Sequence, residues 1–324
     1  MCRASIDIGT NTLRLLIADI DDKRLKPVFL KRIITRLGGG YTETAGIADK
    51  AQERTIKALK LFSEKLKEYR VEEVRAVATS VVRRAKNRDG FLGSVREQTG
   101  LEVNVISGDE EARLSLLGVL SVIKAGTDFK SVPKCLVVDI GGGSTEFIAV
   151  ADGKMAGAWS LEMGVVHLTE KYLKTDPPTK EELGNMESEI EGIISDLRCK
   201  ILDSGFLTPN SKLQTLNSTL FIGTAGTITT LAAIDQGLEK YEPDKINNYI
   251  LKYAAIKKIY NHLTSLHLRQ REEILSLEKG REDIIIPGAA IVLKTMEGFG
   301  FSSITVSDAG LLEGILLDTV NCKL

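Results

Sequence analysis

The stretch CLVVDIGGGSTEFIAV, residues 135–150, interrupts an apolar run with three glycines, a serine, a threonine and a glutamate, then turns apolar again. Gly141, Gly142 and Gly143 would let backbone approach a ligand with no side chain in the way. Successive N–H groups in such a turn form an anion-binding hollow. The hydroxyls of Ser144 and Thr145 add donors for phosphate oxygens. Asp139, at the end of the strand, repels phosphate. It makes sense instead as a ligand for Mg²⁺, direct or through water, because that ion prefers oxygen and bridges to phosphates. Glu146 is a second candidate ligand, although simple alternation does not put it on the face of Asp139, since the turn resets the register. The plainer alternative is a tight hairpin whose turn is capped by Asp139. The chain has no P-loop pattern, and a strand rather than a helix follows the glycines, which excludes a dinucleotide fingerprint.

A looser copy opens the chain. In ASIDIGTNTLRLLIADI, residues 4–20, Gly9 keeps the close approach, Thr10, Asn11 and Thr12 offer donors, and Arg14 offers positive charge, as a phosphate anchor or as an ion-paired strand residue. Superposing the two stretches pairs Asp7 with Asp139, Gly9 with Gly141, Thr12 with Ser144 and Arg14 with Glu146 at one constant offset. Two such turns, facing each other from two lobes, would clamp a phosphate chain. A third candidate is GTAGTITT, residues 223–230, where Gly223, Gly226 and Thr227 lie between a strand and a helix. Their N–H groups would receive phosphate or pack on a nucleobase, unless the small residues only allow close helix–strand packing.

These residues need strands ending at turns. Residues 4–37 predict three strands and 46–69 a helix, with Ile56, Leu59, Phe62 and Leu66 three or four apart. Strand character at the start of 74–83, a helix stopped by Gly100, the strand LEVNVIS and a helix opening on GDEE complete a βββαβαβα order. Residues 135–172 start it again, with a helix from about Val165. Helical stretches follow at 179–201 and 252–298, the strand–turn–helix at 219–234 lies between them, and SSITVSDAGLLEGILLDTV closes with a strand and a helix. The pattern is a duplicated α/β unit: a first lobe over 1–124, a second over 125–308, and a final helix, about 309–324, packing back on the first. KAGTDFKSVPK, residues 124–134, is the predicted linker.

The length agrees, since 324 residues exceed one core of about 150. Forty-three basic and 44 acidic residues leave a net charge of −1, which argues against a broad nucleic-acid surface. Cys2, Cys135, Cys199 and Cys322 form no zinc spacing, and a reducing, cytoplasmic protein is expected. No segment reaches the ~18 apolar residues of a membrane span, and, with a strand predicted within a few residues of the N-terminus, no signal peptide is expected. His167, His262 and His267 are widely spaced and read as structural, and Trp159 as packing.

DIGTNTLR, DIGGGSTE, GTAGT and VSDAGLLEG resemble, in order and spacing, the exopolyphosphatase / guanosine pentaphosphate phosphohydrolase (Ppx/GppA) family, within the superfamily of actin, sugar kinases and the heat-shock ATPase. ATSVVRRAKN at 78–87, ISGDEEARL at 106–114, TDPPT at 175–179 and REDIIIPGAAIVLKTME at 281–297 agree, and SGDEEAR ahead of DIGGGSTE separates this branch from the kinases. The resemblance implies two actin-like (ribonuclease H-like) lobes with a cleft between them, in the short form without an added helical domain. It implies Glu111 as general base for the attacking water, Arg83 as a phosphate-binding residue, and Asp139 and Glu146 as holders of Mg²⁺. GTAGT departs from the family's glycine-richer third loop at Ala225.

Glu111 is expected at a helix start, where Asp109 and Glu110 would raise its pKa by like-charge repulsion, as suits a base. Three acids at a helix N-terminus are also ordinary decoration, and Arg83, Arg84, Lys86 and Arg88 are either a solvated helix start or a basic strip for polyphosphate. The resulting expectation is a hydrolase that releases terminal orthophosphate from inorganic polyphosphate or guanosine pentaphosphate. Its substrate partner is that polymer or nucleotide, with no DNA or membrane, and it works as a monomer or homodimer. A guanosine tetra- or pentaphosphate sensor and a sugar-kinase-type phosphotransferase are the alternatives.

Overall fold

The computed structural model describes residues 2–21, 24–123, 134–206 and 219–321. The chain divides into two compact units, Met1–Gly118 with Gly310–Leu324, and Val119–Ala309. Most of the predicted linker and Cys322 lie outside the described residues.

The first unit opens with three antiparallel strands, β1 (Cys2–Ile8), β2 (Thr12–Asp21) and β3 (Arg24–Ile34). Helix α1 (Asp49–Glu68) follows, burying the Ile56–Leu59–Phe62–Leu66 stripe. Next come β4 (Glu73–Ala78), the short α2 (Ser80–Arg84), α3 (Arg88–Thr99), β5 (Val103–Val105) and α4 (Gly108–Leu120). Helix α3 ends where the sequence predicts, at Gly100 with φ 72°, a conformation that favours glycine. The sheet order is β3-β2-β1-β4-β5. β1 is antiparallel to β2 and parallel to β4.

The second unit repeats the plan. β6 (Lys134–Ile140), β7 (Thr145–Ala151) and β8 (Lys154–Leu161) are antiparallel neighbours. α5 (Val165–Tyr172) and the 24-residue α6 (Lys180–Asp203) come before β9 (Leu220–Thr224) and α7 (Ala225–Asp235). The short α8 (Pro243–Ile246) and β10 (Ile250–Lys252) were not predicted, because three or four residues carry no periodicity. α9 (Tyr253–Ser265), α10 (Leu268–Arg271), α11 (Ile285–Phe299) and β11 (Ser303–Val306) complete the unit. Its sheet order, β10-β11-β9-β6-β7-β8, is the order of the first sheet with β10 added at one edge.

Each unit has its own core. In the second, α6 buries Met186, Ile190, Ile194, Leu197 and Ile201 along one face, against α11, which is apolar nearly all round and correspondingly buried. The last helix, α12 (Leu311–Asn321), belongs to the first unit. It packs Leu312 and Leu316 on Leu16 and Ala18 of β2, and Leu311 and Ile315 on Val77 and Leu114.

Candidate active site

The duplicated hairpins match atom for atom at their turns. The Gly9 N–H donates to the Thr12 carbonyl at 3.1 Å, and the Gly141 N–H to the Ser144 carbonyl at 2.9 Å. A β-carbon added at Gly9 would stand 2.9 Å from Thr12 O, and one at Gly141 2.9 Å from Ser144 O. Both glycines are therefore required by close backbone approach within the turn.

Each turn is held from behind. In the second unit the first N–H groups of α5, those of Val165 and Val166, donate to the carbonyls of Gly141 and Gly142. Gly164 lets that helix sit against the turn, where a β-carbon would fall 2.3 Å from Gly142 O. In the first unit residues 35–38 serve instead; the third strand, expected to run to residue 37, ends at Ile34. Thr35 N and Arg36 N donate to Asn11 O, and Gly38 N donates to Thr10 O. Only glycine fits at 38, because a β-carbon would meet Thr10 Cγ2 at 2.4 Å.

The cross-strand register decides the electrostatics. Asp7 pairs with Arg14 on β1 and β2, and Asp139 pairs with Glu146 on β6 and β7. Directly opposed residues of an antiparallel pair share a face, which corrects the expectation that Glu146 leaves the face of Asp139. Arg14 places Nε at 2.8 Å and Nη2 at 2.6 Å from Asp7 Oδ2. Of the two readings of Arg14, the ion pair within the sheet is the contact the geometry shows. At the same place in the second unit stand two buried carboxylates. Like charges opposed across a ladder repel, and a cation reverses that. Ser160, the neighbour of Glu146 on β8, donates to its Oε1 at 2.7 Å and orients it. Among the described residues no three His, Cys, Asp or Glu form a metal cage. Two carboxylates fit Mg²⁺, which keeps several waters and takes substrate phosphates for the rest.

Other candidates fall less evenly. Thr145 is fully buried and donates its hydroxyl to Met163 O, so it is spent on the fold rather than on phosphate. Ser144, Thr10 and Asn11 are buried at their turns. In the third loop β9 runs directly into α7. Ala225 holds φ 69°, where an L side chain is strained. Gly223 admits Ile304 and Ile228, and Thr227 packs against Gly288 of α11, so both serve packing. Gly226 lies under the guanidinium of Arg281, which pairs with Glu278 at 2.9 Å. Arg281 stands far from the loop in sequence; it opens the REDIIIPGAAIVLKTME segment, but nothing there points to Gly226.

Glu111 sits in the first turn of α4, where Ser107 Oγ accepts from Glu110 N at 3.1 Å as the helix cap. It is 8% exposed. Arg83 Nη1, from α2, donates to Glu111 Oε2 at 3.0 Å and to Ile106 O at 2.9 Å, tying the carboxylate to the end of β5. The repulsion expected from the neighbouring acids is not the contact observed. Glu110 is gripped by Arg113, Nε to Oε2 and Nη2 to Oε1, both at 2.8 Å. Those bonds hold the Glu110 carboxyl below its ordinary value. In β6, burial pushes the Cys135 thiol up to about 12, which leaves an inert core cysteine.

Two α/β units on one strand plan, each with a glycine turn at the end of its first strand, define a duplicated actin-like (ribonuclease H-like) fold. Residues 16–322 match the Ppx/GppA phosphatase family, and the chain belongs to that family. It is 33% identical to exopolyphosphatase 2 of Mycobacterium tuberculosis, over 97% of each chain. It is 35% identical to a bifunctional 3-dehydroquinate synthase/phosphatase of Fusobacterium nucleatum, matching 99% of this chain but spanning only 47% of that relative's length. Among solved structures, a Ppx/GppA family member of Aquifex aeolicus shares 35% identity at a TM-score of 0.79, covering 100% of this chain and 98% of that one. An exopolyphosphatase of Cytophaga hutchinsonii shares 27% at a TM-score of 0.87, covering 99% and 98%. Among the described residues no helix is long and apolar enough to cross a membrane.

Proposed function

We propose that this chain hydrolyses the terminal phosphoanhydride of inorganic polyphosphate and releases orthophosphate. The observation that carries the proposal is the charge change between matched hairpins: Asp7 and Arg14 neutralise each other, while Asp139 and Glu146 oppose two carboxylates beside a triple-glycine turn. Such a pair calls for a divalent cation, and a glycine turn suits phosphate. The relatives from M. tuberculosis and C. hutchinsonii carry the name exopolyphosphatase, which favours polyphosphate over a nucleotide.

Asp139 and Glu146 would hold Mg²⁺, which when bound neutralises charge on the transferred phosphoryl group. Backbone N–H groups of the Gly141 turn, beside that carboxylate pair, would bind phosphate oxygens. The Glu111 carboxylate accepts a proton from water as the water oxygen bonds to the terminal phosphorus. The bond between that phosphorus and the bridging oxygen breaks, and the shortened chain keeps the bridging oxygen. Arg83 fixes the orientation of Glu111 through the Oε2 and Ile106 contacts.

The test compares orthophosphate release from long-chain polyphosphate and from guanosine pentaphosphate, with Mg²⁺ and with a chelator, and without any hydroxyl acceptor. Release from polyphosphate that needs the cation supports the proposal. Preference for the nucleotide moves the substrate to guanosine pentaphosphate. Binding without release leaves a sensor, and turnover only with a sugar acceptor leaves a phosphotransferase.

A further inference from the structure

The final helix reaches the turn that carries Glu111. Asp318 of α12 accepts from Arg113 Nη1 at 2.9 Å through Oδ1 and from Arg75 Nη1 at 3.1 Å through Oδ2. Arg113 in turn forks onto Glu110, the residue before Glu111. The same two helices touch backbone to backbone. A β-carbon at Gly314 would stand 1.7 Å from Leu114 O, and one at Gly118 1.8 Å from Gly310 O. The buried side chains Val77, Leu114, Leu311 and Ile315 fill the remaining contact.

Apolar burial of this kind is non-directional. It holds α4 against α12 but constrains rotation of α4 about its own axis less sharply than a directional bond does. A carboxylate stands roughly 6 Å from a helix axis, so a turn of about 10° moves it by about 1 Å. A displacement of about 1 Å at a catalytic group can cost on the order of a hundredfold in rate. The Arg113–Glu110 fork lies within α4 and holds the guanidinium still, so the directional link that fixes such a rotation is the Arg113 Nη1 bond to Asp318 on α12. Asp318 is 7% exposed, and holding a carboxylate there is unfavourable unless it is well paired. Hydrogen bonds from Arg113 hold both the Asp318 and Glu110 carboxyls below their ordinary values, so the link is ionised at neutral pH.

We propose that Asp318 is a positioning residue for the reaction: through Arg113, held in place by Glu110, it fixes the rotation of α4 and with it the Glu111 carboxylate. This rests on the assignment of Glu111 as the base. Asp318 itself touches no reacting atom, and its effect falls on kcat rather than on substrate binding.

The experiment measures steady-state orthophosphate release from polyphosphate, with thermal unfolding of each variant, for wild type, Asp318→Asn, Glu111→Gln, the double variant and Arg75→Met. Asp318→Asn is expected to lower kcat by about ten- to a hundredfold, with KM within about twofold. In the Glu111→Gln background the same substitution is expected to have no further effect on kcat. Arg75→Met removes the other arm of Asp318 and is expected to lower the unfolding midpoint while leaving kcat within about twofold. If Asp318→Asn does not fold, Arg113→Lys replaces it, keeping the charge but losing the fork. A normal kcat in the folded variant, or an equal loss in both backgrounds, overturns the proposal. A normal rate for Glu111→Gln overturns the assignment of the base instead.

Discussion

Replacing Glu146 by Gln separates the catalytic need for its charge from the structural burden of that charge. Asp139 and Glu146 are opposed in register across β6 and β7. At about 5 Å between such positions, two negative charges repel by about 3 kcal/mol with an effective dielectric constant of about 20. Glu146 recovers part of this from Ser160 at 2.7 Å, a hydrogen bond worth about 1–2 kcal/mol with a charged acceptor. In the presence of a chelator, Glu146→Gln is therefore expected to unfold at the wild-type midpoint or up to about 2 kcal/mol above it, roughly 4–8 °C for a unit of this size. Adding Mg²⁺ is expected to raise the wild-type midpoint and to leave that of the variant nearly unchanged. Orthophosphate release is expected to collapse in the same variant. The assay is thermal unfolding with and without Mg²⁺, run beside a turnover assay. An equal Mg²⁺ shift in both proteins, or none in either, would refute the assignment of these carboxylates to the cation.

Further substitutions probe the turns and the helix starts. Gly9→Ala and Gly141→Ala each drive a β-carbon to 2.9 Å from a carbonyl oxygen and should each lower stability by about 1–3 kcal/mol and abolish turnover. Gly93→Ala, in α3 with nothing within 4 Å of an added β-carbon, should instead gain up to about 1 kcal/mol in urea unfolding. Ala225→Gly relieves φ 69° and is expected to be neutral or stabilising by up to about 1 kcal/mol, the reverse of the usual loss in a helix. The ordinary values of Glu110 and Asp318 are 4.5 and 3.8, and the bonds from Arg113 lower both in the folded state. Groups depressed on folding contribute stability above their ordinary values and lose it as pH falls through the lowered ones. The wild-type unfolding midpoint should thus fall more steeply than that of Arg113→Met below about pH 4.

Both hairpins were legible in the sequence because apolar strands, glycine turns and a constant offset between copies are local signals. So was the end of α3 at Gly100. The meaning of the register was not: the turn hid that Asp139 and Glu146 are cross-strand partners, although the matching Asp7–Arg14 pair carries the same arrangement with opposite charge. Glu111 and Arg83 were named from the family resemblance, and the 3.0 Å contact between them depends on how α2 and α4 follow their strands. Ser160, Arg281 and Asp318 were missed for one reason. Each reaches its neighbour through tertiary packing, so no spacing rule in the chain connects them. Thr145 misled because a hydroxyl beside a glycine turn reads as a ligand donor, whereas burial turns it to Met163 O.

The most direct measurement is orthophosphate release from long-chain polyphosphate by Glu111→Gln, alongside polyphosphate binding by the same protein. Loss of turnover by about 10²–10⁴-fold with binding retained is the result expected of a removed general base. Turnover close to wild type, with the protein folded and the substrate bound, would contradict the account.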